Sequence, residues 1–172
     1  LIGSQATKSI VLQKFYKAKV IHIATNGLLD GFGERIPGAI ALAPDIPIQS
    51  PLPKGTFKGV NEGLLKTREI VNLKLNADLV VLSACDTGRG NITGDGVEGL
   101  SRSLLTAGAK SVVVSLWSVE DNSTSQLMVE FYQQLQQNPD KAKALRQAML
   151  KTMEKRENPR YWAGFTLVGK AR

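Results

Sequence analysis

The sequence is poor in the residues that build metal centres and disulfide frameworks. Its 172 residues include one cysteine and one histidine. A single cysteine cannot form a disulfide within the chain, and these two residues cannot supply the four ligands of a structural zinc site. We therefore expect no metal and no cofactor, and the cysteine usage is typical of a reducing, cytoplasmic compartment.

Long apolar runs are also missing. The longest runs fall far short of the roughly 20 residues that a transmembrane helix needs. The chain opens LIGSQATKS, which lacks the basic and then apolar pattern of a signal peptide. It also opens without methionine. We expect one domain over residues 1–172, a fragment that lacks the N-terminal part of a longer protein and has no membrane partner.

Phosphate and nucleic-acid motifs are weak. The glycine-rich stretch 88–99 lacks the Gly-Lys-Ser/Thr ending of a Walker loop, and GDGVEG has the wrong spacing for a dinucleotide turn. The net charge is +7, but the basic residues are scattered, and their densest run, 151–160, alternates with Glu154 and Glu157. This pattern favours a solvated helix face, so we expect no nucleic-acid partner.

What the sequence does contain is buried strands alternating with amphipathic helices. The run Leu79–Leu82 is too continuous to have one wet face, which is typical of a strand in a parallel sheet. We predict strands at 19–25, 39–42, 79–82, 110–117 and 161–169, and helices at 4–17, 67–72, 96–107, 121–138 and 141–155. This alternation predicts an α/β domain with a mostly parallel sheet flanked by helices.

Two strand ends carry the candidate chemistry. The strand 79–82 is followed by Ser83-Ala84-Cys85, and the strand 19–25 is followed by Asn26 and Gly27. Ligands and reactions collect at the carboxyl ends of strands in open α/β sheets, so Cys85 is a candidate nucleophile. A small buried thiol at the end of a strand is the competing interpretation.

These residues resemble a known family, the CHAT domain. The resemblance rests on HIATxG, LVVLSACDTG, GDGVEGL, AGAKSVVVSLWSVED and YWAGFTLVG, in this order, and it covers residues 19–169. It implies a caspase-haemoglobinase-like fold of the cyanobacterial type, in a domain usually found behind tetratricopeptide repeats. The implied activity is cysteine endopeptidase cleavage of a protein or peptide, with Cys85 as nucleophile and the backbone N–H groups of Gly27 and Cys85 as oxyanion donors.

The expected catalytic histidine is not in its place. The family pattern has the base directly before the glycine, where this chain has Asn26. An amide cannot accept the thiol proton near neutral pH. His22 lies four residues earlier, roughly 13 Å back along a strand, and we expect it inside the sheet as a core or supporting histidine. The chain is thus either a cysteine peptidase without its base or a pseudo-peptidase that binds peptides.

Further residues are candidates for substrate contact. The acidic residues Asp86, Asp95, Glu98 and Asp121 are placed by the resemblance on loops at the catalytic edge, where they would select a lysine or arginine before the cut. Asp95-Gly96 is equally consistent with a plain turn, and Asp121 or Ser123 with a helix cap. Trp117 ends a strand, where it fits a pocket wall and a core position equally well.

Overall fold

The computed structural model describes residues 1–25, 27–28, 38–45, 63–83 and 95–172, with 27–28 and 95–98 described by backbone alone. Its strands are β1 Val20–Ile23, β2 Gly27–Leu28, β3 Ala39–Ala41, β4 Leu64–Lys66, β5 Leu79–Leu82, β6 Ser111–Ser115 and β7 Phe165–Gly169. Its helices are α1 Lys8–Phe15, α2 Thr67–Ile70, α3 Asp95–Thr106, α4 Asp121–Gln137 and α5 Lys141–Lys155, with short 3-10 turns at Gly3–Gln5 and Pro159–Tyr161.

A four-stranded sheet in the order β1-β5-β6-β7 forms the centre of the domain. The pairs β1–β5 and β5–β6 are parallel, and β7 runs antiparallel to β6. The middle strands β5 and β6 are buried at every position, as their continuous apolar runs predict. The predicted mostly parallel α/β architecture is confirmed, and the arrangement is consistent with a caspase-like fold.

Helices cover both faces of this sheet and divide the core in two. On one face α1, α2 and α3 pack through residues such as Phe15, Ile70 and Leu104. On the other face α4 and α5 pack through residues such as Phe131 and Ala148. Because strand side chains alternate, β1 turns Ile21 and Ile23 toward the first cluster and leaves Val20 and His22 on the second face.

A second, smaller sheet in the order β2-β3-β4 was not predicted in full. The strand β3 is confirmed within the predicted 39–42 range, but β4 lies directly before the predicted helix 67–72, where we predicted no strand. β4 pairs antiparallel with β3, and this distant partner cannot be found from local periodicity. Gly63 opens the strand with a φ of +61°, a conformation that favours glycine.

Two helix starts differ from the sequence expectation. The first α-helix begins at Lys8 and is capped by Thr7, whose hydroxyl accepts from the Ile10 N–H, whereas the sequence pointed to a start near Ser4. The fourth helix has Glu120 at its cap position, so Asp121 is its first helical residue rather than its cap. Both displacements are within about one turn, which is close to the usual uncertainty at helix ends.

Candidate active site

The site is organised by the register of two neighbouring parallel strands. Ile23, the last residue of β1, pairs with Leu82, the last residue of β5. One more hydrogen bond follows, from the Ser83 N–H to the Ile23 carbonyl oxygen at 3.1 Å. The two strands therefore end side by side at the same edge of the sheet.

Several predicted site residues cannot be located relative to this edge. Asn26, Cys85 and Asp86 lie outside the described residues, so their expected proximity stays a prediction. Asp95 and Glu98 belong to the first turn of α3, but their side chains are not among those described. The predicted turn at Asp95-Gly96 is wrong as a local structure, because the helix already includes both residues.

Gly27, the predicted oxyanion donor, begins β2 and pairs with Ile40 of β3. The chain therefore passes from the main sheet into the second sheet within four residues of the end of β1. The hydroxyl of Thr25 donates to the Ala41 carbonyl oxygen at 2.8 Å and joins the two sheets at this point. The segment that leads to Gly27 is thus anchored on both sides of position 26.

Trp117 follows β6, and its described contacts are those of a packing residue. The indole N–H donates to the Arg160 carbonyl oxygen at 3.3 Å, and the ring joins the apolar cluster beneath α4 and α5. A Cβ on Gly164 would lie 3.2 Å from the indole nitrogen, so glycine permits this close approach. Contact of Trp117 with a substrate stays a prediction.

His22 differs from the prediction of a buried core histidine. β1 is the edge strand of the described four-stranded sheet. One side of the His22 ring is therefore exposed to solvent. The other face of the ring lies against Tyr132 of α4, with ring centroids 5.6 Å apart. Nε2 of His22 lies 2.8 Å from the Ser83 hydroxyl oxygen, and a supporting role at the site stays a prediction. Sequence spacing alone could not indicate that β1 is an edge strand.

The His22–Ser83 hydrogen bond links β1 to β5 just below the strand ends. Ser83 comes two residues before Cys85 and was not among the predicted site residues. The only sequence signal for it was its place at the end of a buried strand. Tyr132 was expected only as part of an amphipathic helix, and its contact with His22 depends on how α4 lies across the sheet.

These side chains border a cavity of about 590 Å³ between the ends of β1 and β5 and the first three turns of α4. His22, Ser83 and Tyr132 supply polar groups, and Met128 and Val129 supply apolar surface. Asp121 also borders it, which brings one predicted substrate-binding residue to this edge. The volume falls within the usual range for ligand pockets, roughly 300–1,000 Å³.

Burial favours the neutral forms of two titratable groups at this cavity, His22 and Tyr132. Partial burial lowers the pKa of His22 below its ordinary value of 6.5. Burial raises the pKa of Tyr132 to about 12. The Tyr132 hydroxyl is buried, and among the described residues it has no hydrogen-bond partner. At neutral pH the imidazole of His22 and the hydroxyl group of Tyr132 are therefore both uncharged.

The described residues offer no metal centre and no membrane span. Within these ranges no three His, Cys, Asp or Glu side chains come close enough together to hold a metal ion. None of the described helices combines the length and the apolar character needed to cross a membrane.

Comparison with known proteins finds one family and two relatives that match nearly the whole chain. A family described as "CHAT domain" matches residues 1–170. Tetratricopeptide repeat protein 28 of Mus musculus is 30% identical over 195 residues, which cover 98% of this chain and 8% of that protein. The Homo sapiens protein of the same name is 30% identical over 192 residues, with the same coverage. The chain thus spans 8% of the length of these relatives. Both are mammalian, and the cyanobacterial type stays a prediction.

Proposed function

Because the chain belongs to the CHAT domain family, we propose that it is a caspase-like cysteine endopeptidase domain whose nucleophile is Cys85 and whose general base is missing. The family match supports a peptidase-related domain, and the proposal adds the residue roles. Asn26 occupies the position expected for the base, so the chain with this residue is inactive in cleavage.

The observation that carries the proposal is the register of β1 and β5. Ile23 and Leu82 are paired, and Asn26 and Cys85 each follow their paired residue by three positions. Neighbouring strands are about 4.8 Å apart. Because Asn26 and Cys85 lie the same number of positions beyond the paired strand ends, we expect their side chains on opposite walls of one crevice. We expect the two side chains to lie within about 8 Å of each other, a gap that a histidine would bridge.

The reaction for such a site is acyl transfer. The Cys85 sulfur attacks the peptide carbonyl carbon, and its proton passes to a base, which then protonates the leaving amine as the C–N bond breaks. Water completes the cycle by cleaving the thioester. The N–H groups of Gly27 and Cys85 would stabilise the oxyanion. The amide of Asn26 has no basic nitrogen, so it cannot take the proton in the first step.

A binding module is the second candidate, and the cavity beside His22 favours it. A pseudo-peptidase needs a crevice that recognises peptides but not a base. The chain keeps a cavity of about 590 Å³ at the edge where the thiol is expected. In both cases the partner would be a protein or peptide in the cytoplasm, and the parent protein would carry tetratricopeptide repeats upstream.

Restoring the base separates the two candidates. We expect Asn26→His to create peptidase activity on a peptide library with Lys, Arg or Asp before the cut, measured in the full-length parent. General-base catalysis alone contributes about 10²–10⁴ in rate. The matched control, Asn26→His with Cys85→Ala, should remain inactive because it lacks the nucleophile.

A folded but inert Asn26→His protein, tested in the full-length parent with its partner present, would favour the binding module. Cleavage by the Asn26 protein that Cys85→Ala abolishes would show instead that another group, such as His22, supplies the base.

A further inference from the structure

We propose that the amino edge of the central sheet, at the opposite end of its parallel strands from the candidate active site, is a docking surface for an acidic segment of a partner protein. Four residues form it: Lys19, Asp78 and Lys110 directly precede β1, β5 and β6, and Lys170 directly follows β7. We call these four residues the lysine row. The inference goes beyond the proposed function, because it needs neither the Cys85 thiol nor the crevice beside it.

Hydrogen bonds join the lysine row across the whole sheet. The Asp78 N–H donates to the Lys19 carbonyl oxygen at 2.7 Å, and the Lys170 N–H donates to the Lys110 carbonyl oxygen at 2.9 Å. Between these two pairs, the Lys110 ammonium lies 2.6 Å from an Asp78 carboxylate oxygen. The row therefore follows the strand order β1-β5-β6-β7. Basic residues that are scattered along the sequence thus become neighbours in the fold.

The lysine row carries a surplus of positive charge. Its three lysines and one aspartate give a formal charge of +2. The hydrogen bond from Lys110 lowers the pKa of Asp78, and the charges of Lys19 and Lys141 add to this effect, so the carboxylate is ionised at neutral pH. Lys19 and Lys170 are exposed, and within the described part of the chain neither ammonium group forms an ion pair.

The backbone holds two of these cations close together. Gly169, the last residue of β7, has a φ of +104°, and a Cβ there would lie 2.5 Å from the Lys110 carbonyl oxygen. The Lys170 carbonyl oxygen accepts from the Ser111 hydroxyl at 2.5 Å and from Nζ of the buried Lys141 at 3.4 Å. Like charges on neighbouring strands repel each other. A bound anion would offset this repulsion, and the rigid backbone presents the cations to it in advance.

The carboxylate within the row favours a peptide over a nucleic acid as the partner. Asp78 can only accept hydrogen bonds, and a peptide backbone carries N–H groups that can donate to it. A phosphodiester backbone places an anion at every nucleotide, which Asp78 would repel. The three cations of the row are lysines, whereas the arginine fork is the group that matches phosphate geometry.

The dimensions of the row suit a short extended segment. Four strands about 4.8 Å apart span roughly 14 Å, the length of about four extended residues. Alternate side chains of such a segment lie about 7 Å apart. Two carboxylates of the segment would therefore reach Lys19 at one end of the row and Lys170 at the other. Because the candidate active site lies beyond the opposite ends of β1 and β5, both surfaces can be occupied at the same time.

Fluorescence anisotropy with a labelled octaglutamate peptide tests this proposal. Lys19→Gln with Lys170→Gln removes the two unpaired lysines and leaves the ion pair of the row intact. The matched control, Lys155→Gln with Arg160→Gln, removes the same charge from exposed residues at and beyond the other end of α5, roughly 20 Å away along the helix. At about 50 mM salt, where surface charges are weakly screened, the row variant should bind on the order of tenfold more weakly than the parent chain. The control should stay within about twofold.

Three results would overturn the proposal. Absence of octaglutamate binding, or an equal loss in both variants, would mean that the row is not a specific surface. Tighter binding of octauridylate, which carries a similar number of negative charges, would make the row a nucleic-acid surface. Cys85→Ala should bind octaglutamate as the parent chain does, and a loss of binding in that variant would place the peptide at the crevice instead.

Urea unfolding separates docking from a purely structural role of the lysines. Removing like charges relieves repulsion, so Lys19→Gln with Lys170→Gln should unfold at the same or a higher urea concentration than the parent chain. A lower unfolding midpoint together with unchanged octaglutamate binding would show that the lysines serve the fold alone.

Discussion

Cys85 and His22 are the chain's only cysteine and histidine. His22 lies on β1, and the neighbouring strand β5 ends three positions before Cys85. In the proposed site they do not form a catalytic pair. His22 is engaged with Ser83 and Tyr132 below the strand ends, and Asn26 takes the position expected for the base. The reactivity of the thiol is therefore set by its own acidity.

We expect Cys85 to titrate near the free value of about 8.5 rather than near the roughly 3–4 of a histidine-paired thiolate. The rate of alkylation by iodoacetamide, followed against pH by mass spectrometry, measures this directly because the chain has one thiol. Asn26→His should shift the alkylation profile to lower pH. A thiolate already present near pH 5 in the parent chain would mean that another cation replaces the histidine.

Among the elements, the turn after α3 depends on a single glycine. Gly108 has a φ of +113°, and a Cβ there would lie 2.4 Å from the Leu75 carbonyl oxygen. Gly108→Ala should lower the free energy of unfolding by more than about 1 kcal/mol, because both the backbone and the space disfavour a side chain. Urea unfolding measures this loss.

Gly99 provides the matched control, since it lies inside α3 and a Cβ added there would have no neighbouring atom of the described residues within 4 Å. Gly99→Ala should raise the free energy of unfolding by about 0.5–1 kcal/mol. A similar loss for both variants would contradict the specific role of Gly108.

A second prediction concerns the packing of α4 against α5 and the sheet. Phe131 is fully buried between α4, α5 and the sheet. Phe131→Ala should lower the free energy of unfolding by about 3–5 kcal/mol through lost burial and the cavity left behind. Val129 on the same helix is 56% exposed, so Val129→Ala should change the free energy of unfolding by less than about 0.5 kcal/mol. Equal effects in thermal or urea unfolding would mean that α4 packs through another face.

The same elements show what sequence could and could not predict. β5 and β6 were predictable because an unbroken run of apolar residues requires burial on both faces. β4 was not, because Leu64–Lys66 becomes a strand only by pairing with Ala39–Ala41, a segment far away along the chain. The edge position of His22 and its contact with Tyr132 also depend on tertiary arrangement. Motifs located the strand ends, but they could not reveal the cavity beside them.

At the scale of the whole molecule, the fold brings together two segments that are distant in the sequence. The parallel pairing of β1 and β5 does this, and helices on both faces hold the two strands in register. We expect positions 26 and 85 to face one another across a single crevice beyond this pairing. The peptidase and the binding-module proposals both depend on it.

A crosslinking measurement tests this claim most directly. Asn26→Cys adds a second thiol to the native Cys85, and a short bis-alkylating reagent such as dibromobimane joins two thiols only when they lie close together. Val20→Cys is the matched control, because Val20 is 52% exposed at the opposite end of β1, roughly 20 Å away along the strand. We predict one intramolecular crosslink between positions 26 and 85, identified by mass spectrometry, and none for the Val20 variant. Separate labelling of the introduced thiol and of Cys85, without a crosslink between them, would contradict the shared crevice.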